Sequence, residues 1–348
     1  MSAHEGCGAR APAASATEAP PLPREIQLEV TGACNLRCHM CLVRYRPPLN
    51  RRTASMPFAT FRRIVDALPG VERITLQGLG EPLLAPDLPR MIEYAGARGI
   101  RAGFNTNATL LGRRVAERLL AAGVGWIHVS VDGASAATYE SIRDGGRFAA
   151  VRQNVAGLVD AARARADGGP ELALVFVAMR RNVKELPDLV RLAAALGMPS
   201  VRVQNLSHSF DDTPPGPGYD VIRGFTEAEA LWVGPGGEVA AIFDEARSAA
   251  AALGVALRLP EVEERPRPRT AGTPGCDWPW RSAYVRHDGG VQPCCMLMGE
   301  DRAILGDVGA TAFPDVWSGP AYVAFRAALL GDSPPDVCRG CSMYRGVF

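Results

Sequence analysis

The sequence predicts an α/β protein built on a parallel sheet, followed by a small cysteine-rich unit. Two observations predict it. Short apolar strand-like runs alternate with helical patterns six times between residues 25 and 204. Eight of the nine cysteines fall into two groups, Cys34, Cys38 and Cys41 early in the chain and Cys276, Cys294, Cys295, Cys338 and Cys341 late in it. Strands that alternate with helices imply parallel pairing through right-handed crossovers. Such folds carry their chemistry on the loops that leave the C-terminal ends of the strands.

The elements follow in order. Ile26, Leu28 and Val30 alternate with Gln27 and Glu29, a strand that ends at Thr31 and Gly32. Phe58, Phe61, Ile64, Val65 and Leu68 share one face of a helix over 58–68, with Pro57 near its start. Strands are expected at 74–76, 100–104, 126–131, 172–178 and 201–204. The helices between them are expected at 88–97, 111–121, 136–166 with a break at Gly145 and Gly146, and 183–196. Residues 206–220, with Asp211, Asp212 and three prolines, read as an irregular loop. A helix over 239–253 and a strand over 255–259 complete this part. Four prolines among alternating charges make 260–274 the clearest linker in the chain. Residues 276–348 then hold five cysteines, a turn at Asp288–Gly290 and a helix around 313–330. A unit that small buries little core unaided, so a metal staple is expected there.

Composition excludes several classes. Hydrophobic residues make up 47% of the 348, enough for a full core. The formal charge of +1 gives no electrostatic reason to expect nucleic acid or an anionic membrane as partner. The longest apolar runs, such as 172–179, fall far short of the roughly 20 residues of a membrane span. Residues 1–24 lack a basic start followed by an apolar stretch, so they read as a disordered tail rather than a secretory signal, and a cytoplasmic protein is expected. Clustered cysteines in a reducing compartment point to metal or catalysis before disulfides. Cys7 stands alone in the tail.

Cys34, Cys38 and Cys41 lie in the string CNLRCHMC, immediately after the first strand. Three thiolates around an iron–sulfur cube leave one iron without a protein ligand, which is free to take a small chelating substrate. The spacing CxxxCxxC after the first strand of a βα fold resembles the radical S-adenosylmethionine (radical SAM) superfamily. Further motifs match in order. Gly78-Leu79-Gly80-Glu81-Pro82 is similar to the GGEP segment that holds the SAM amino group. Asn105-Thr106-Asn107 and Ser130-Val131-Asp132-Gly133 end the third and fourth strands, where the family carries a polar triplet and an SxDG segment. Arg143 falls where a related subgroup places an arginine that pairs with the SAM carboxylate. Two positions depart from the pattern: Met40 stands where the family has an aromatic residue, and Leu79 replaces the first glycine of GGEP. The resemblance implies a partial (β/α)6 TIM-like barrel over 25–258. It further implies a [4Fe-4S] cluster on Cys34, Cys38 and Cys41, and SAM contacts from Gly78, Gly80, Glu81, Asn107, Ser130, Asp132 and Arg143. An external one-electron reductant such as flavodoxin or ferredoxin would supply the electron for a 5′-deoxyadenosyl radical. His39 reads as a loop residue, and His128 as packed or lining the barrel.

In the second group, Cys276 is followed by 12 residues, Gly289, four residues and Cys294, with Cys338 and Cys341 in a terminal CxxC. Four thiolates close one iron–sulfur cube or one zinc site equally well. The pattern resembles the Twitch domain, the shortened relative of the SPASM domain carried by radical SAM enzymes. That resemblance implies a second [4Fe-4S] cluster on Cys276, Cys294, Cys338 and Cys341, in a small α+β domain over 276–348. Cys295, on the opposite face of an extended strand from Cys294, reads as a small buried side chain.

The expected activity is hydrogen abstraction from a small polar natural-product substrate (a sugar, aminocyclitol or nucleoside), with oxidation through the second cluster. The alternatives are a ribosomal-peptide maturase served by a separate leader-binding partner, a redox-neutral decarboxylase or epimerase akin to cytosylglucuronate decarboxylase, and a non-catalytic iron–sulfur scaffold. A fused leader-binding domain is not expected, because the barrel starts near residue 25. The loop over 207–219 and the C-terminal unit are expected to build the substrate pocket. His208, Asp211, Asp212 and Tyr219 are its candidates, although loop residues of these types are more often solvated.

Overall fold

The computed structural model describes residues 20–45, 55–232, 237–261, 263, 275–297, 299 and 302–348. Cys7, most of the expected tail and nearly all of the expected linker lie outside the described residues.

The described residues form one ten-stranded sheet. Its strands are β1 (Glu25–Leu28), β2 (Arg73–Thr75), β3 (Arg101–Thr106), β4 (Trp126–Ser130), β5 (Glu171–Val177), β6 (Ser200–Gln204), β7 (Ala256–Arg258), β8 (Tyr284–Val285), β9 (Gly290–Gln292) and β10 (Gly306–Asp307). The spatial order is β10-β9-β8-β1-β2-β3-β4-β5-β6-β7. Every neighbouring pair from β1 to β7 is parallel, as the alternation with helices requires. The six strands expected in the barrel all form, so all their C-terminal ends lie on one side. Helices cover the sheet, and β4 and β5 are buried along nearly their whole length, which explains why their sequences read as continuous apolar runs.

The C-terminal unit is less separate than the sequence suggests. Its strand β8 pairs parallel with β1, and β9 returns antiparallel after a turn in which Gly289 adopts φ +102°. The turn expected at Asp288–Gly290 is therefore a hairpin that extends the barrel's own sheet. One apolar core runs from Leu28, Ile74, Phe104 and Phe176 through Val285 and Val291 to Phe313, Trp317 and Tyr322. The unit thus borrows core from the barrel, and a smaller cluster of Leu297, Phe325, Leu329 and Val337 surrounds its cysteines. Trp317 Nε1 also donates to the carbonyls of Pro20 and Pro21, which ties down residues assigned by sequence to the tail.

The break expected at Gly145–Gly146 divides the helical stretch over 136–166 into Ala136–Ile142 and Phe148–Arg163. Two other element boundaries differ for physical reasons. The helix expected over 313–330 stops at Trp317 and restarts at Pro320, because proline has no N–H to carry the preceding helix through. The irregular loop ends early: Pro217 opens a helix to Glu229 that sequence inspection missed.

The N-terminal ends of the strands are closed by charge. Glu171 on β5 accepts from Arg101 Nη2 at 3.0 Å, from Arg202, and from His128 Nε2 at 3.3 Å. The His128 hydrogen bond, with the two guanidinium groups, holds the Glu171 carboxyl down to about 2. His128 is a packed residue of this cluster, away from the strand ends that carry the cysteines.

Candidate functional site

Cys34, Cys38 and Cys41 lie on the loop that leaves β1, and backbone bonds to the C-terminal end of the helix Ala136–Ile142 and the residues just after it fix its course. Arg37 N–H donates to Asp144 O at 3.0 Å and His39 N–H to Ile142 O at 2.9 Å. Leu36 N–H points at Cys34 Sγ at 3.5 Å. Cys38 is buried, and the other two thiols are half-buried. Burial pushes the Cys34 thiol up to about 11 and the Cys38 thiol up to about 12, so loading this loop with iron must release protons. Met40 packs in an apolar group with Ile142, Met179, Leu206 and Phe225.

The GLGEP segment lies directly against this loop. A Cβ on Gly80 would stand 2.2 Å from Thr31 O and 2.6 Å from Ala33 O, so only glycine fits there. Glu81 N–H donates to Ala33 O at 2.7 Å. Gly78 is under the same constraint, since a Cβ would meet the Glu29 side chain at 2.2 Å. Leu79, the departure from GGEP, has no left-handed φ that would call for glycine. The loop therefore keeps glycine at the two positions where backbone or side chain presses on it. We expect Gly80→Ala to displace the segment from the cysteine loop and weaken SAM binding about tenfold or more, by isothermal titration of reconstituted protein.

The Glu81 side chain turns inward. Its carboxylate accepts from Thr106 Oγ1 at 2.6 Å, Asn107 N–H at 2.8 Å and Leu83 N–H at 3.2 Å. Burial raises this carboxyl in spite of those bonds. Glu81 thus locks the end of β3 to the GLGEP loop. Asn107 Nδ2 reaches across to Asn35 Oδ1 at 3.0 Å, inside the cysteine loop. The motifs quoted from three separate strands meet here.

Asp132 and Arg143 are joined to each other. Arg143 Nη2 stands 2.7 Å from Asp132 Oδ2, with both side chains buried, and Nη1 stands 3.9 Å from Cys38 Sγ. Asp132 Oδ1 accepts from Val177 N–H at 2.8 Å. Arg143 Nε is buried and has no hydrogen-bond partner among the described residues, which leaves a donor beside the thiols. Ser130 is half-buried at the end of β4. Removal of the guanidinium leaves Asp132 as an uncompensated buried charge. We expect Arg143→Met to lose about 3–5 kcal/mol of stability, read by thermal denaturation. If Arg143 also contacts SAM, Arg143→Lys, which keeps the charge and loses the fork, is expected to weaken SAM binding, read by isothermal titration.

The second set of thiols gathers as its spacing predicts. Cys276, Cys294, Cys338 and Cys341 all line one apolar pocket, walled by Trp278, Leu297, Phe325, Leu329, Val337 and Tyr344. Cys295 does not line it. The hairpin returns Cys294 to Cys276, and the short helix Asp336–Arg339 presents the terminal pair. Burial pushes the Cys338 thiol up to about 12 and raises Cys276, Cys294 and Cys341 as well. Among the described residues, no three His, Cys, Asp or Glu side chains converge tightly enough to hold one metal ion. Four thiols lining one apolar pocket can close an iron–sulfur cube or a zinc site.

The loop after β6 turns most of its candidate side chains onto the C-terminal unit. His208 is buried beneath the terminal CxxC: its Nε2 bonds Val337 O at 2.6 Å and its Nδ1 accepts from Phe210 N–H at 2.8 Å. Burial, with Arg302 nearby, lowers its imidazole to about 4. Asp212 pairs with Arg302 Nη2 at 2.7 Å, and Tyr219 packs with Leu42, Phe210 and Ile222. Only Asp211 among these candidates is exposed. The loop clamps the cysteine unit onto the barrel, which sequence inspection did not foresee.

The radical SAM superfamily model matches residues 28–199, and the SPASM model, an iron–sulfur cluster-binding domain, matches 276–342. The chain belongs to the radical SAM superfamily and carries a C-terminal auxiliary cluster domain. Its cofactors are [4Fe-4S] clusters and SAM. It is 25% identical to the tungsten-containing aldehyde ferredoxin oxidoreductase cofactor-modifying protein of Pyrococcus furiosus, over 91% of this chain and 87% of that protein. It is 28% identical to the PqqA peptide cyclase of Gluconobacter oxydans, over 92% and 83%. Among solved structures, SuiB of Streptococcus suis bound to precursor peptide SuiA superposes with a TM-score of 0.67 over 93% of this chain and 71% of that one, at 14% identity, a likeness of fold. Among the described residues no helix is long and apolar enough to cross a membrane.

Proposed function

We propose that the chain is a peptide-modifying radical SAM enzyme. Cys34, Cys38 and Cys41 would hold the SAM-cleaving cluster, and Cys276, Cys294, Cys338 and Cys341 the auxiliary one. The observation that carries the site assignment is the packing of the three-cysteine loop against GLGEP, Asn107 and the Asp132–Arg143 pair at one end of a parallel sheet. When bound, the first cluster supplies the electron that cleaves SAM to a radical able to abstract hydrogen.

The chain's own residues do the positioning. Gly78 and Gly80 let the GLGEP backbone approach the cysteine loop. Glu81 holds that backbone to β3, and Asn107 bridges it to Asn35. Arg143 neutralises Asp132 and keeps positive charge against Cys38, where thiolate charge develops on loading. Four thiols at the second cavity would leave no iron open to substrate, which suits electron transfer or structural support.

The peptide reading replaces the small polar substrate expected from sequence. Its support is the similarity to a peptide cyclase over 92% of this chain and 83% of that protein. The test is mass spectrometry of short precursor peptides encoded beside the gene, incubated with reduced protein and SAM. A mass change that depends on SAM supports it; turnover of a sugar or nucleoside alone overturns it.

A further inference from the structure

Glu29, one residue beyond β1, is 2% exposed and has no part in the motifs quoted above. Its carboxylate joins three pieces of the molecule. Oε1 accepts from His287 Nδ1 at 2.6 Å. Oε2 accepts from the Tyr284 hydroxyl at 2.6 Å and from Leu79 N–H at 2.9 Å. Tyr284 lies on β8 and His287 in the turn of the auxiliary hairpin, whereas Leu79 is the second residue of GLGEP. Gly78 presses on the same side chain. Burial alone would raise this carboxyl; the bonds from His287, Tyr284 and Leu79 outweigh burial and lower it.

We propose that Glu29 is a positioning residue through which the auxiliary domain sets the SAM-binding loop. Two donors from the auxiliary hairpin orient the carboxylate, and the carboxylate fixes the Leu79 peptide. A buried charge with three donors has one arrangement that satisfies all of them, so the loop inherits that arrangement. Leu79 stands where the family has glycine, and its N–H is held here by a side chain that the auxiliary domain orients. Domain docking and SAM binding are thereby linked through one carboxylate. The inference rests on the reading that residues 78–82 hold SAM.

The experiment compares anaerobically reconstituted wild type with Glu29→Met, Glu29→Gln and the double variant Tyr284→Phe with His287→Phe. Iron content confirms that both clusters are loaded. SAM affinity is read by titration, and the change that SAM causes in the electron paramagnetic resonance signal of the reduced first cluster is followed in parallel. Glu29→Met should raise the SAM Kd about tenfold. Glu29→Gln should stay close to wild type, because its amide oxygen keeps the Leu79 and Tyr284 bonds and the His287 tautomer can switch. The double variant, which alters no barrel residue, should also raise the Kd several-fold. Should Glu29→Met fail to load iron, Tyr284→Phe alone decides, with a rise of about threefold expected. Full iron, an unchanged Kd and an unchanged resonance signal in the variants would overturn the inference and make Glu29 a docking anchor only. Failure of the wild type to bind SAM would instead overturn the reading of the loop itself.

Discussion

Joint replacement of Cys34, Cys38 and Cys41 by Ala is expected to reduce SAM cleavage to the level of buffer while the protein keeps its fold. The three thiols stand on one loop outside the main core, so their loss removes ligands and little packing. Iron content should fall from about eight to about four per chain, the remainder belonging to the second cavity. The measurement pairs iron analysis with chromatography of 5′-deoxyadenosine. Cleavage that survived in the triple variant would show that the catalytic thiols had been assigned to the wrong loop.

The second large effect separates the two thiol sets. Cys338→Ala with Cys341→Ala should also halve the iron, yet SAM cleavage should persist within about threefold of wild type, because the first loop is untouched. A redox titration should lose one of two transitions. Product formation from the proposed peptide substrate should fail. Cys341 is buried and its neighbour Gly340 lies against Ser209 and His208, so the loop clamp loosens and the melting temperature drops. Circular dichroism distinguishes that loosening from unfolding. Unchanged product formation with halved iron would leave the second set a structural staple alone.

Much of this arrangement is legible in the residues. The strands of the barrel are short apolar runs between turn signals, and β5 reads directly as 172–178 against the observed Glu171–Val177. The cysteine spacings, Gly80 and the turn at Gly289 are local demands that a chain displays openly. What was hidden depends on partners distant in sequence. Strand β8 is two residues long and exists because β1 pairs with it. Glu29 alternates with Leu28 and Val30 and so reads as the solvent side of a strand; the auxiliary hairpin covers that side and turns the same carboxylate into a buried junction. His208 and Asp212 read as solvated loop residues until Arg302 and the terminal CxxC close over them. Asp132 and Arg143 were each legible as motif residues, whereas their pairing with one another is a matter of tertiary placement. The helix opened by Pro217 carries a signal, a proline at its first turn with Tyr219, Ile222 and Phe225 three apart, which the neighbouring turn residues mask.

The central claim is that this chain cleaves SAM reductively at a cluster held by its first three clustered cysteines. The most direct measurement is 5′-deoxyadenosine and methionine released by anaerobically reconstituted, chemically reduced wild type, with iron counted on the same sample. Both products are expected in equal amounts from protein carrying about eight irons per chain. Protein that carries that iron, binds SAM and releases neither product under reduction would contradict it.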